Sequence, residues 1–263
     1  MSRKNCHTKT RPDGTVPGQG RSHPGPATYG AEPMSKIDPG YLDPTPVIDS
    51  DHPSIIDYAV RVTDGAGDSV GRAVKIYYAV RDSVWYDPYC PFYLPEHYRA
   101  SHILKIGRGY RVSKVSLLCA LGRACHIPSR VGFADVRNHL ATKQLMEFLG
   151  SDLFVYHGFV EFYLEGKWVK ATPAFNRELC ERHRVAPLEF NGREDSLFHL
   201  YNLEKKEFME YVEYHGVYQD IPVEKILRAW EEAYGRDRVK AWIERCEKSG
   251  WDSSRDFYRE EVL

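Results

Sequence analysis

The stretch from Gly107 to Arg130, GRGYRVSKVSLLCALGRACHIPSR, constrains the chain more than any other. Two glycines one residue apart lead into an apolar, periodic run. Val115, Leu118, Leu121 and Gly122 step round one side, with Leu117, Ala120 and Ala124 beside them. The spacing predicts a buried helix that stops before Pro128, which cannot prolong one. The free N–H groups and the dipole at the start of such a helix favour negative charge. A cysteine placed there has a lowered pKa, and a developing oxyanion is steadied there. The residue at that position is Arg111, a cation at the wrong end of the dipole and no nucleophile. A local rule broken inside a consistent element marks function or function lost. The plainer reading is an arginine pointing into solvent from a frayed first turn.

A second landmark is FVYHGFVEFYL at Phe154–Leu164, rich in aromatic and β-branched residues and therefore strand. Glu165-Gly166-Lys167 is the turn, and Trp168-Val169-Lys170-Ala171-Thr172 returns until Pro173 stops it. His157 thus lies on a hairpin that has to pack on something, and the long helix is the candidate.

The order of helix N-terminus, strand histidine and polar residue on the next strand resembles the transglutaminase-like branch of the papain-like cysteine enzymes. Gly109-Tyr110-Arg111, Val115, Arg123, Ile127-Pro128-Ser129-Arg130, His157 and Trp168 with Thr172-Pro173 fall into the places of that family's motif, over residues 54–176. The bacterial subgroup whose motif ends Ala-Thr-Pro-Ala-Phe-Asn, present at 171–176, is the most similar. The resemblance implies an α+β fold: a papain-like core with N-terminal helices packed on an antiparallel sheet, followed by a C-terminal helical extension. It implies cysteine peptidase, amidase or acyltransferase chemistry. His157 takes the place of the catalytic histidine, Thr172 that of the usual aspartate, and Arg111 that of the nucleophilic cysteine. An activity lost or impaired in this chain follows from that last departure.

In an intact member the thiolate attacks an amide carbonyl, and the histidine takes the thiol proton and later protonates the leaving amine. The third residue accepts the other imidazole N–H. A threonine hydroxyl can do so, with less stabilisation of imidazolium than a carboxylate gives. No replacement nucleophile stands nearby on the helix. Cys119 is eight residues on, about 12 Å at ~1.5 Å rise per residue, and Ser113, two residues on, falls on another face.

Tyr110, beside Arg111, and Asp135 and Asn138, in the polar cluster Asp135–His139 at the end of a strand from Val131, are the expected substrate-binding residues. His139 reads either as a second catalytic-type histidine or as a loop anchor. A different class of function is a binding module in which Arg111 holds a carboxylate, from a peptide C-terminus or a small acid, through its planar fork. A metal hydrolase built on His157 and His139 lacks a recognised ligand spacing, and Cys180-Glu-Arg-His183 is one pair, read as structural. No metal and no cofactor are expected.

The chain has 263 residues with a net charge of −1, which leaves no electrostatic case for nucleic acid or an acidic membrane surface. No run has transmembrane length, no signal peptide opens the chain, and its six cysteines are scattered without a CxxC, so cytoplasmic, reduced thiols are expected. Residues 1–33 hold five glycines and five prolines and hardly any large apolar residue, so they are expected to be a disordered or non-native extension. Residues 34–180 are expected to form the transglutaminase-like domain, and 181–263 an α/β extension packed on it.

Elsewhere, Pro53-Ser54 opens a short helix, and Ser69 is expected to cap a second one whose inward stripe is Val70, Ala73, Val74, Tyr77, Val80 and Val84. Residues 86–99 read as a loop, either a cleft wall or a packed surface segment. Glu207–Tyr214 reads as a strand. Pro222 starts a helix with Val223, Ile226, Leu227, Trp230 and Tyr234 on one face, ended by Gly235, and residues 237–248 repeat the pattern.

Overall fold

The computed structural model describes residues 33–138, 142–197, 209–249 and 256–260. Two helices come first, α1 (Pro53–Thr63) and α2 (Ser69–Ser83), followed by β1 (Trp85–Tyr86), α3 (Ala100–Ile106) and β2 (Arg108–Gly109). The central helix α4 spans Arg111–Ala124. Then come β3 (Ser129–Asn138), α5 (Lys143–Leu149), β4 (Leu153–Leu164), β5 (Lys167–Ala171) and α6 (Arg177–Arg182). The last elements are β6 (Met209–Tyr218), α7 (Val223–Tyr234) and α8 (Arg236–Ser249). The mixed helix-and-sheet architecture is the expected α+β one. Among the described residues, no helix is long and apolar enough to cross a membrane.

The main sheet runs β5-β4-β3-β6, every pairing antiparallel. Its edge strand β6 comes from beyond residue 180, so the sheet draws on both sides of that position, and α7 packs on β4. Every residue of α4 from Arg111 to Arg123 is buried, because β3 and β4 cover one side and α1, α2 and α3 the others. A helix wrapped this way is covered all round rather than along one stripe, so Arg111, Ser113, Lys114, Ser116 and Arg123 are buried along with its apolar residues.

Helix and sheet approach closely at Gly122. A Cβ there would meet Ser129 Oγ and stand 2.6 Å from Phe162 Cε1, both in the buried interior. Gly122→Ala is therefore expected to destabilise the protein by about 2 kcal/mol through overpacking. A shifted denaturation midpoint at unchanged slope is the readout, and an unshifted midpoint would mean that the layer yields at no cost.

Helix α2 begins as expected, but its cap is Asp68 rather than Ser69: the Asp68 carboxylate accepts from Gly71 N at 2.7 Å, and Ser69 is already helical. The carboxylate also favours the positive end of the dipole. Ile76 joins the buried stripe, and Val84 lies past the helix end in extended backbone. The expected loop 86–99 supplies part of β1 and one short helical turn at Pro95–His97. Strand β6 runs on to Tyr218, with two register shifts against β3.

Candidate active site

The ribbon of β1 and β2 pairs Trp85 with Arg108 and Tyr86 with Gly109, in parallel. It delivers the chain to Tyr110, extended at the cap position of α4, and then to Arg111 in the first helical turn. Gly109 is needed for closeness rather than for φ: a Cβ there would lie 2.8 Å from Ser113 Cβ. The Tyr110 side chain does not cap the helix, since its hydroxyl donates to Tyr98 Oη at 2.8 Å. The first-turn N–H groups of α4 therefore have no side-chain cap.

Arg111 does not point into solvent. It is 9% exposed, its guanidinium carbon stands 4.6 Å from the centre of the Phe154 ring, and its Nε makes no hydrogen bond. His157, on β4, is 1% exposed. Burial first, and the charge of Arg111 second, hold its pKa well below the ordinary histidine value. The charge of Arg111 is thus part of the electrostatic environment of His157.

A bulge prepares the stretch of β4 that carries His157. The β3–β4 register shifts between Ala134 and Val136, and Tyr156 takes φ +53 in the left-handed region. An extra residue exchanges the two faces of a strand from that point on. Asp135 and His215 hold the bulge in place. Tyr156 N donates to Asp135 Oδ1 at 2.8 Å, the Tyr156 ring stacks on His215 at 4.2 Å, and His215 Nε2 bonds the same carboxylate at 2.7 Å.

Asp135 thus positions the bulge, and it is not among the described residues that line the cavity beside Arg111. The hydrogen bond from Asp135 raises the pKa of His215, with burial opposing. A histidine raised in the folded state contributes stability that is fully present below its unfolded pKa and is lost as pH rises through the folded one. His215→Gln is expected to cost about 2 kcal/mol below pH ~6.5, the strength of a charge-assisted bond, and less as pH rises. A pH series of unfolding free energies checks this; a cost that does not vary with pH would contradict it.

Thr172 is buried just past β5, with its backbone fixed: its N–H donates to Ser196 O at 3.1 Å, and its carbonyl accepts from Tyr77 Oη at 3.2 Å. Its hydroxyl has no hydrogen-bond partner among the described residues, so the expected Thr172–imidazole bond is not made in this structure. Asn138 closes β3, but its side chain, like His139, lies outside the described residues.

Several parts of the site carry no local sequence signal. A narrow cavity of about 50 Å³ adjoins Arg111. Tyr110 lines it, with Tyr86, Tyr89 and Phe92 from one segment and Trp230, Tyr234 and Trp242 from α7 and α8. Among the described residues its charged lining is Arg111 and Arg245, and Cys90 and Cys246 also reach it. Burial and nearby Asp87 push the Cys90 thiol well above its ordinary value.

Behind the cavity wall, Asn176 ends the Ala171–Asn176 motif as a buried hub. Its Oδ1 accepts from Tyr86 N (2.9 Å), Tyr258 Oη (2.8 Å) and Lys114 Nζ (3.5 Å). Its Nδ2 donates to the carbonyls of Val84 (2.8 Å) and Asp82 (3.2 Å). Lys114, fully buried on α4, also donates to Arg81 O and Val84 O, both at 2.8 Å.

Among the described residues, one group places three metal-ligand-type atoms within 4.8 Å of one another: Asp135, Glu213 and His215. Asp135 Oδ1 already accepts two hydrogen bonds there. His157 belongs to no such group.

Residues 56–173 match the family model of the transglutaminase-like superfamily. Two solved structures are similar to the chain. A cysteine-protease candidate from Cytophaga hutchinsonii shares 16% identity at a TM-score of 0.45, over 74% of this chain and 53% of that one. A protease candidate from Parabacteroides distasonis shares 17% identity at a TM-score of 0.34, over 48% of this chain and 24% of the other. The chain thus spans about half the length of the first and a quarter of the second. No curated protein matches it. The matched segment, 118 of the 263 residues, resembles a transglutaminase-like domain.

Proposed function

We propose that this domain keeps the layout of a cysteine acyl-transfer site without the acyl-transfer step. The observation that carries this reading is Arg111, buried in the first turn of α4 at the position where the resembling enzymes hold their nucleophile. A guanidinium stays protonated and cannot accept an acyl group. His157 is held neutral as a base weaker than an ordinary imidazole, and no thiol stands at position 111 for it to deprotonate. Burial lifts the Cys119 thiol to about 11 and that of Cys90 well above ordinary, so neither supplies thiolate at neutral pH. The scattered, mostly buried cysteines suit the reducing cytoplasm.

The test is iodoacetamide labelling at mildly acidic pH with mass-spectrometric mapping. Slow, His157-independent labelling of every cysteine is expected. A fast adduct at Cys90 or Cys246 that disappears in His157→Ala would identify a relocated nucleophile and overturn the reading.

A second reading is favoured by one observation: a buried guanidinium, hydrogen-bonded to Tyr86 but with its Nε unbonded among the described residues, lines a cavity with no carboxylate among its described lining residues. In this reading the old cleft binds a carboxylate ligand, free or at a peptide terminus, and Arg111 is its anchor. Carboxylate-dependent thermal stabilisation that is absent in Arg111→Ala is the expected result.

A further inference from the structure

We infer that the cavity beside Arg111 selects a monocarboxylate carrying a short apolar tail; this rests on the second reading above and names its ligand class. Arg111 is more than nine-tenths buried and lines the cavity; its guanidinium bonds the Tyr86 side chain, and its Nε has no hydrogen bond among the described residues. A buried polar group left unmade is costly, so an acceptor brought by a ligand is strongly favoured. The uncapped first turn of α4 adds N–H groups and a positive dipole end on the same side. Arg245 is the other charged residue among the described lining, which holds no acid. All of this specifies one negative charge.

The rest of the lining specifies the tail. Tyr86, Phe92, Trp230 and Trp242 present ring surface, which rewards an apolar group and rejects a second charge. The volume, about 50 Å³, sets the size. A cavity near 150 Å³ takes benzene, and one water needs about 10–15 Å³. A carboxylate with a tail of about two to four carbons fits that interval, whereas an amino acid with its ammonium group meets two guanidinium charges.

Phe148, Trp242 and Arg245 also line a wider groove outside, of about 880 Å³, so a chain can lead from the cavity to the surface. Such a carboxylate can come from a free short-chain acid or from the C-terminus of a peptide ending in a small apolar residue.

The experiment is thermal unfolding of the full chain, titrated with butyrate, with uncharged butyramide, and with a Val-ended peptide in free-acid and amidated forms. Butyrate is expected to raise Tm saturably, by about 5 °C at a hundredfold excess over Kd. Butyramide is expected to leave Tm unchanged. Arg111→Met, which keeps the packed stem and removes the charge, is expected to weaken butyrate binding by about 30-fold. The wild-type comparison of acid with amide stands even if that variant does not fold.

A response to the free-acid peptide alone, with none to butyrate, would sink the short-acid inference and leave the carboxylate reading standing. Responses to butyrate and free peptide but to neither amide would support the inference and place both sources in the same site. Equal responses to butyrate and butyramide, or none to any carboxylate, would overturn both.

Discussion

Asn176→Ala is expected to destabilise the protein by about 4 kcal/mol, because five hydrogen bonds converge on one buried amide. The truncation leaves Tyr86 N and Tyr258 Oη inside the protein without their acceptor. Buried groups stranded in this way cost about 1–3 kcal/mol each. Other losses are partly covered: Val84 O keeps its bond from Lys114, and Lys114 Nζ keeps Arg81 O and Val84 O. The total therefore falls short of five full bonds.

Tyr258→Phe removes one arm of the hub and keeps the ring stacked on Trp85, so about 1 kcal/mol is expected there. Chemical denaturation of the two variants side by side measures both. Costs that come out equal would mean that the hub is not cooperative and that the remaining arms are solvated without penalty. The hub also bears on the site, because Tyr86 is a cavity wall and its backbone N–H is held by Asn176. In Asn176→Ala, ligand stabilisation should weaken together with the fold.

The sequence made the long elements readable and the assembly of the site much less so. Helix α4, the β4–β5 hairpin and α7 stood out because each sustains a pattern over many residues. Helices α3, α5 and α6 span two turns or fewer, too short for periodicity to show. Arg111 and His157 were legible as a pair, because motif order places them.

The environment of Arg111 was not legible. A frayed turn and a buried one have the same local sequence, and what buries Arg111 is Phe154, forty-three residues away in the chain. The surroundings of Asp135 were hidden for a similar reason: its partner His215 lies on β6, and its other bond is set by a backbone bulge that no residue type announces. The cavity draws its walls from residues 86–92, 145–149 and 230–246. Each of those segments by itself reads as loop or core.

Arg111→Cys is expected to give a thiol that iodoacetamide alkylates about ten times faster near pH 6 than an ordinary cysteine. The position supplies two causes. The uncapped N-terminus of α4 favours the thiolate, and His157 stands close enough to feel the charge at residue 111. Removing Arg111 also removes the second of the two causes that hold the His157 pKa down, so the imidazole can take the thiol proton more readily. Burial, the larger cause, remains.

A thiol brought from about 8.5 to about 6 is half ionised near pH 6, against roughly 0.3% for an ordinary one, a gain of about 150-fold in thiolate. The lower basicity takes back about tenfold through reduced nucleophilicity. The advantage should vanish in the His157→Ala double variant, and adducts mapped at residue 111 separate this thiol from Cys90 and Cys246. Fast, His157-dependent labelling would mean that the machine survives around a single lesion. A sluggish thiol would mean that the pocket has drifted away from catalysis. The Thr172 hydroxyl, with no partner and no bond to the imidazole, would then be an early sign of the same drift, and the cavity would be better understood as a place where Arg111 holds a ligand.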